Sequence, residues 1–362
     1  MRKPLRAWSL TALVVLALIS PLHHTVVAQG DWVKKADTPK AGGLGEAVVS
    51  AGDHVYILRC YSTGNCQFWR YDPADDSWIT LSDWAPPDPP IPRPKNGTAL
   101  AWDGGDYIYA LLGAAYDENR TYFYRYSISK GSWERLPDTP HSQGAGDAIA
   151  WSGYDRRIYA FLGSARHGTT FARYHPDTKS WETLPSPWGV TDDGASLVWA
   201  GGEHLYALRG EWEEETPHND FARYNVRTGS WETMAPIPEN ECDASNHGGG
   251  CGVGDGASLL WVSAYPDYIF AFGGGGVLED PGYNFYRYAI AWNQWEKLAP
   301  IPCPVGYWNG NRLGFVSGRI HYWQGAPSTW ACSGSAFYMF DSSPPLLERR
   351  VYLPLVSNNF AR

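Results

Sequence analysis

Side chains able to bind or react recur at one place in this chain, beside a glycine that opens a short, small, apolar segment. They are Glu46, Asn96, Thr98, Asp147, Asp193, Asp255, Asn309 and Asn311. Carboxylate and amide oxygens gathered in this way could hold a hard cation such as calcium, or hydrogen-bond the hydroxyls of a sugar. The same residue types also satisfy loop amides near turns, which is a purely architectural use. Arg59 and Arg209 end a second recurring segment. A guanidinium there suits a carboxylate-bearing ligand or an ion pair with a nearby aspartate. Trp84, Trp212, Tyr307, Trp308 and Trp330 lie in longer intervening stretches, where they could stack on sugar rings or fill the loops.

The six cysteines fall into close groups, Cys60 with Cys66, Cys242 with Cys251, and Cys303 with Cys332. No C-x-x-C or mixed Cys/His spacing of a zinc site occurs. An even count in an exported chain reads as disulfides paired by proximity. Export is what the start of the chain predicts. Arg2, Lys3 and Arg6 precede an apolar run from Leu10 to Ile19, and small residues at Val26-Val27-Ala28 stand ahead of Gln29, the pattern of a secretory signal peptide over 1–28. The run is short for a membrane span, and no later stretch is apolar enough to cross a bilayer. The expected location is secreted or extracytoplasmic, with the cell surface or periplasm included. A formal charge of −9, more negative once the leader is removed, disfavours nucleic acid and anionic membranes as partners. Neutral sugars, cations and basic proteins remain compatible with it.

The elements that must position these residues are written in a repeat. FARYNVRTGSWETM (Phe221 to Met234) reads as two short strands about a tight turn at Arg227-Thr228-Gly229, and near copies begin at Phe68, Phe123, Phe171 and Phe285. Two half copies bracket them: Trp32 to Ala36 carries only the second strand, and Phe337 to Asp341 only the first. Upstream of each copy lie the glycine-led apolar segment and a strand such as HLYALRG (His204 to Gly210). Four strands per unit with a period of roughly fifty residues is the signature of propeller blades. The reading is an all-β, six-bladed β-propeller of four-stranded antiparallel blades over 29–341. The N-terminal strand closes the ring inside the last blade, and 342–362 forms a Pro-rich, then basic, then briefly apolar tail.

The tyrosine-to-tryptophan spacing of the repeat, the glycine after the second strand and the period resemble the kelch type of β-propeller, in the superfamily that includes galactose oxidase. The likeness covers about residues 31 to 341. The glycine doublet typical of kelch stands only at Gly273-Gly274, and Arg59-Cys60 replaces it in the first unit. The copper chemistry of galactose oxidase would require a Tyr/His set and a Tyr-Cys cross-link for which nothing here is suited. Exported N-acetylneuraminate epimerases, which open sugar rings with an acid/base and an arginine that holds the carboxylate, are similar in size and blade number; the resemblance implies a sugar-active alternative in which Glu46 or Asp147 is the acid/base and Arg59 or Arg209 holds the carboxylate.

In a four-stranded blade, the connections from strand two to three and from strand four to the next blade emerge on one face. All the long, irregular insertions and all six cysteines fall there, whereas the connections of the opposite face are tight. Variable loops on a rigid ring mark a binding surface. The expected function is a secreted binding or interaction propeller, its glycan or protein ligand docking on the long-loop face around the central channel. Arg70, Arg125, Arg173, Arg223 and Arg287 recur blade by blade, and that repetition assigns them to packing.

Overall fold

The structure is a computed structural model that describes residues 30–43, 45–60, 66–83, 94–114, 120–164, 168–210, 218–238, 253–254, 256–274, 283–303, 312–325 and 333–341. The expected leader (1–28) and tail (342–362) lie outside these residues. Within them, twenty-four strands form six antiparallel four-stranded sheets. Strand β1 (Asp31–Lys34) comes first. Blade one is β2 (Ala47–Ala51), β3 (His54–Arg59), β4 (Gln67–Asp72) and β5 (Ser77–Asp83). Blade two is β6 (Thr98–Trp102), β7 (Tyr107–Leu112), β8 (Phe123–Ser127) and β9 (Ser132–Leu136). Blade three is β10 (Ala148–Ser152), β11 (Arg157–Ser164), β12 (Gly168–His175) and β13 (Ser180–Leu184). Blade four is β14 (Ser196–Trp199), β15 (His204–Leu208), β16 (Phe221–Asn225) and β17 (Ser230–Thr233). Blade five is β18 (Ser258–Trp261), β19 (Tyr268–Phe272), β20 (Phe285–Ala289) and β21 (Gln294–Lys297). Blade six is β22 (Leu313–Val316), β23 (Arg319–Trp323) and β24 (Phe337–Asp341), completed by β1.

Each inner strand touches the inner strands of the two neighbouring blades, and β22 meets β2 to complete the ring. Burial explains the strand sequences. A blade is covered on both sides by its neighbours, so the second strands read as nearly unbroken apolar runs; β15 (HLYAL) is buried at every position after His204. Fourth strands lie on the rim, and β17 (SWET) buries none of its residues. The core is therefore divided into six wedges between blades. One holds Leu112, Phe68 and Tyr126 between blades one and two, and another holds Trp69, Trp323 and Phe337 between blades six and one.

The repeated motif does architectural work. The turn between third and fourth strands needs one left-handed residue, which is Asp76, Gly131, Lys179, Gly229 or Asn293, all at φ between 49° and 70°. The fourth-strand tryptophans latch neighbouring blades. Trp181 Nε1–H donates to Pro137 O (3.3 Å), Trp231 to Pro185 O (2.9 Å), Trp295 to Ala235 O (2.9 Å), Trp32 to Ala299 O (3.3 Å) and Trp78 to Ala36 O (3.0 Å). Four of the five recurring arginines pair across the ladder with fourth-strand glutamates, Arg125–Glu134 at 2.7 Å, Arg173–Glu182 and Arg287–Glu296 at 2.6 Å, and Arg223–Glu232.

The N-terminal strand closes the last blade, with Asp31, Trp32, Val33 and Lys34 opposite Asp341, Phe340, Met339 and Tyr338. The seam to blade one is tied by Asp76, which accepts from Ala36 N (3.0 Å) and Tyr71 Oη (2.6 Å) and pairs with Lys35 Nζ (3.3 Å). Burial opposes charge on Asp76, yet those three donors hold its carboxyl below the usual range.

Candidate functional site: the two ends of the central channel

On the long-loop side, the ladder register makes the residue one place before Ala47, Ala99, Ala148, Ser196 and Ser258 equivalent in the first five blades, and sets Arg312 of blade six level with those alanines and serines. That ring of positions is Glu46, Thr98, Asp147, Ala195 and Ala257 in blades one to five. Glu46 and Arg312 are neighbours across the closing seam. Each is 1% exposed, with Nη1 to Oε2 at 3.3 Å. Glu46 Oε1 also accepts from Gly43 N, and Arg312 donates to Gln324 O. A Cβ on Gly325, which has φ +69°, would collide with both members of the pair. Isolated charges are unaffordable at that depth, whereas a paired and hydrogen-bonded set is tolerated.

The other expected site residues are also tied to the frame. Asp147, 4% exposed, accepts from Gly163 N (2.9 Å) through Oδ1. Burial pushes its carboxyl well above the usual range against the pull of the backbone donors at Gly163 and Gly144. Thr98 Oγ1 donates at the turn, with Lys95 O at 2.6 Å and Leu112 O at 2.9 Å. Arg59 reaches Ala41 O (2.9 Å) and Arg209 reaches Val190 O (3.1 Å), so each clamps the connection entering its own blade. Arg209 also pairs with Asp220 at 3.0 Å. Beside it, burial first and the Arg209 charge second lower the His218 imidazole, which disfavours its protonation. Asn96 and Asp193 are half-buried in their loops. The structure thus brings Glu46 together with Arg312, while Asp147, Arg59 and Arg209 keep separate partners.

Asp255, Asn309, Asn311, Trp84, Trp212, Tyr307, Trp308 and Trp330 lie outside the described residues, as do Cys242, Cys251 and Cys332. Cys60 and Cys66 form a disulfide, and Cys303 is disulfide-bonded. Among the described residues no cysteine is free, and no three His, Cys, Asp or Glu side chains converge as a metal site would require. No helix among the described residues is long and apolar enough to cross a membrane.

Several buried polar groups at this end escaped the sequence reading. Gln143 donates to Tyr122 O (2.6 Å) and accepts from Leu112 N (3.3 Å), and Gln324 accepts from Gly334 N (3.1 Å). Arg312 stands where the other blades carry a small residue, Ala47, Ala99, Ala148, Ser196 or Ser258. It follows its inner-strand glycine by two places, as those small residues do, so the glycine alignment alone marks it as the exception.

The opposite end of the channel has a different character. The fifth inner-strand position is Ser50, Trp102, Trp151, Trp199, Trp261 and Phe315 in blades one to six, opposite Val55, Ile108, Ile158, Leu205, Ile269 and Ile320. Together with the inner-strand aliphatics, these residues line an open cavity of about 380 Å³. Three indoles are fixed by their own hairpins: Nε1–H donates from Trp102 to Gly105 O (2.9 Å), from Trp199 to Gly202 O (3.0 Å) and from Trp261 to Pro266 O (3.1 Å). Trp199 and Trp261 meet edge to face at 5.8 Å. Among the described lining residues none carries a charge.

No protein-family model matches the chain, and no curated protein matches it.

Proposed function

We propose that this chain is an exported, kelch-type binding propeller that presents a glycan or protein ligand surface on its long-loop face, around the channel. The observation carrying this reading is the division of the ring: tight, hydrogen-bonded turns on one face, and on the other every connection of irregular length, each leaving from a fixed strand end. The disulfide at Cys60–Cys66 lies on that same face and is consistent with an oxidising compartment. Binding is favoured over sugar-ring chemistry because the groups an acid/base mechanism would use already serve the frame. Glu46 is held by Arg312 and Gly43, Asp147 by Gly163, and Arg59 and Arg209 by loop carbonyls.

The reading is tested by thermal-shift and titration measurements against neutral and sialylated glycans, calcium and basic proteins. Replacing 211–217 and 326–332 by Gly/Ser stretches of equal length should abolish the response and leave the β-sheet spectrum intact. A response that survives both replacements would place the ligand elsewhere.

A further inference from the structure

The geometry points to a second binding site, for the ring of a neutral saccharide, in the tryptophan-walled cup on the tight-turn face. It is independent of the long-loop surface, because the cup opens at the other end of the channel. Its volume of about 380 Å³ falls in the range of small-molecule pockets, roughly 300 to 1,000 Å³.

The walls are built before any ligand arrives. Each locked indole has given its N–H to a hairpin carbonyl. The outer ring of Trp199 lies where a Cβ on Gly153 would go, and that of Trp261 lies against Gly201. Each of these two blades thus seats its tryptophan on the hairpin of the blade before it. Rotamers fixed by packing and by a hydrogen bond are what a precise recognition surface requires.

The lining then selects the ligand. With no charged side chain among the described lining residues, a carboxylate, phosphate or metal ion would lose its water and find no opposite charge. A wholly apolar guest would bury polar groups, because each inner strand is the edge of its sheet and only some of its outer backbone groups, such as Leu259 N and Phe315 N, are taken up by serines of a neighbouring blade. Ser263 adds a hydroxyl to that polar lining, and Ser50, whose Oγ accepts from Phe315 N, keeps its O–H to donate. A pyranose satisfies both demands. Its axial C–H groups carry slight positive charge and fit the negative faces of the indoles, and its equatorial hydroxyls can reach the backbone edges.

The test is saturation-transfer NMR with titration of the purified full chain against cellobiose, maltose, lactose and N,N′-diacetylchitobiose. At least one should bind saturably, and Trp199→Ala and Trp261→Ala should each weaken it by about tenfold or more. Ser263→Trp, at an exposed hairpin position on the rim, removes no core contact and should block access. Trp292→Ala, in the exposed turn before β21, should leave the affinity unchanged. Loss of the long-loop response with retention of this one would separate the two sites. The proposal is overturned if no disaccharide binds, if binding is indifferent to Trp199→Ala and Ser263→Trp, or if glycine betaine binds in their place. It is also overturned if binding appears only after deletion of 342–362, since the cup would then belong to the chain's own tail.

Discussion

Two buried titratable side chains give the molecule opposing pH dependences. His321 lies in the seam between blades six and one, stacked on Phe337 at 5.3 Å and facing Tyr71 at 5.8 Å. Burial, reinforced by the nearby Lys35 charge and opposed by the bond from Nδ1–H to Arg319 O, pulls its imidazole from 6.5 down to about 4. The unfolded chain binds that proton first as pH falls, so the stability His321 contributes is present above pH 6.5 and lost toward pH 4. His321→Phe should flatten the urea-unfolding free energy across that window by on the order of 3 kcal/mol. Asp147 has the opposite sign. Its folded carboxyl keeps a proton that the unfolded chain releases near its ordinary value of 3.8, so its contribution falls as pH rises above that point. Asp147→Asn should therefore be better tolerated at pH 7 than at pH 4, and an equal cost at both would show that the site is not protonated.

At the scale of single elements, the fourth-strand tryptophan shows which effect wins. Its indole N–H bond to the preceding blade has a net worth of about 1 kcal/mol, whereas removing the ring from the wedge costs about 3 to 5 kcal/mol. Trp231→Phe should thus lower the melting temperature by only a few degrees, and Trp231→Ala by several times as much. The sequence made these strands legible because the same wedge is solved in every blade, and packing that repeats in space must repeat in residue type. The channel ends were much less legible. Glu46 and Asp147 could be located at the right height but not assigned partners. The pairing of Glu46 with Arg312 depends on a register match between strands separated by most of the chain. Trp102, Trp151, Trp199 and Trp261 each end a glycine-led apolar segment of the sequence, yet only the closed ring turns four such endings into one wall.

For the whole molecule, stability should be unusually sensitive to the closing strand. Trp32 packs on Phe340, Phe285, Tyr322 and Phe272 with ring centroids 5.0 to 6.3 Å apart, joining blades five and six. Deleting 31–34 would remove these contacts, four ladder pairs and the anchor for Lys35 at Asp76, and would leave a free strand edge of the kind that invites aggregation. A loss well above about 3 kcal/mol is expected, read as a steep fall in melting temperature and a gain of oligomers in light scattering. An unchanged melt would mean that the ring is held by its wedges alone.

The pairing of Asp31 with Asp341 has a consequence for how the ring is presented. Both flanking segments join the propeller at one point on its rim, side by side, and both do so on the tight-turn face. A tether on either flank would turn that face, with its tryptophan cup, back toward whatever holds the protein, and would aim the long-loop face outward. Dyes attached just before Asp31 and just after Asp341 should therefore show near-maximal energy transfer in the folded state and lose it on unfolding. Held at that point, the propeller would be a disc gripped by its edge, with one side looking inward and one looking out.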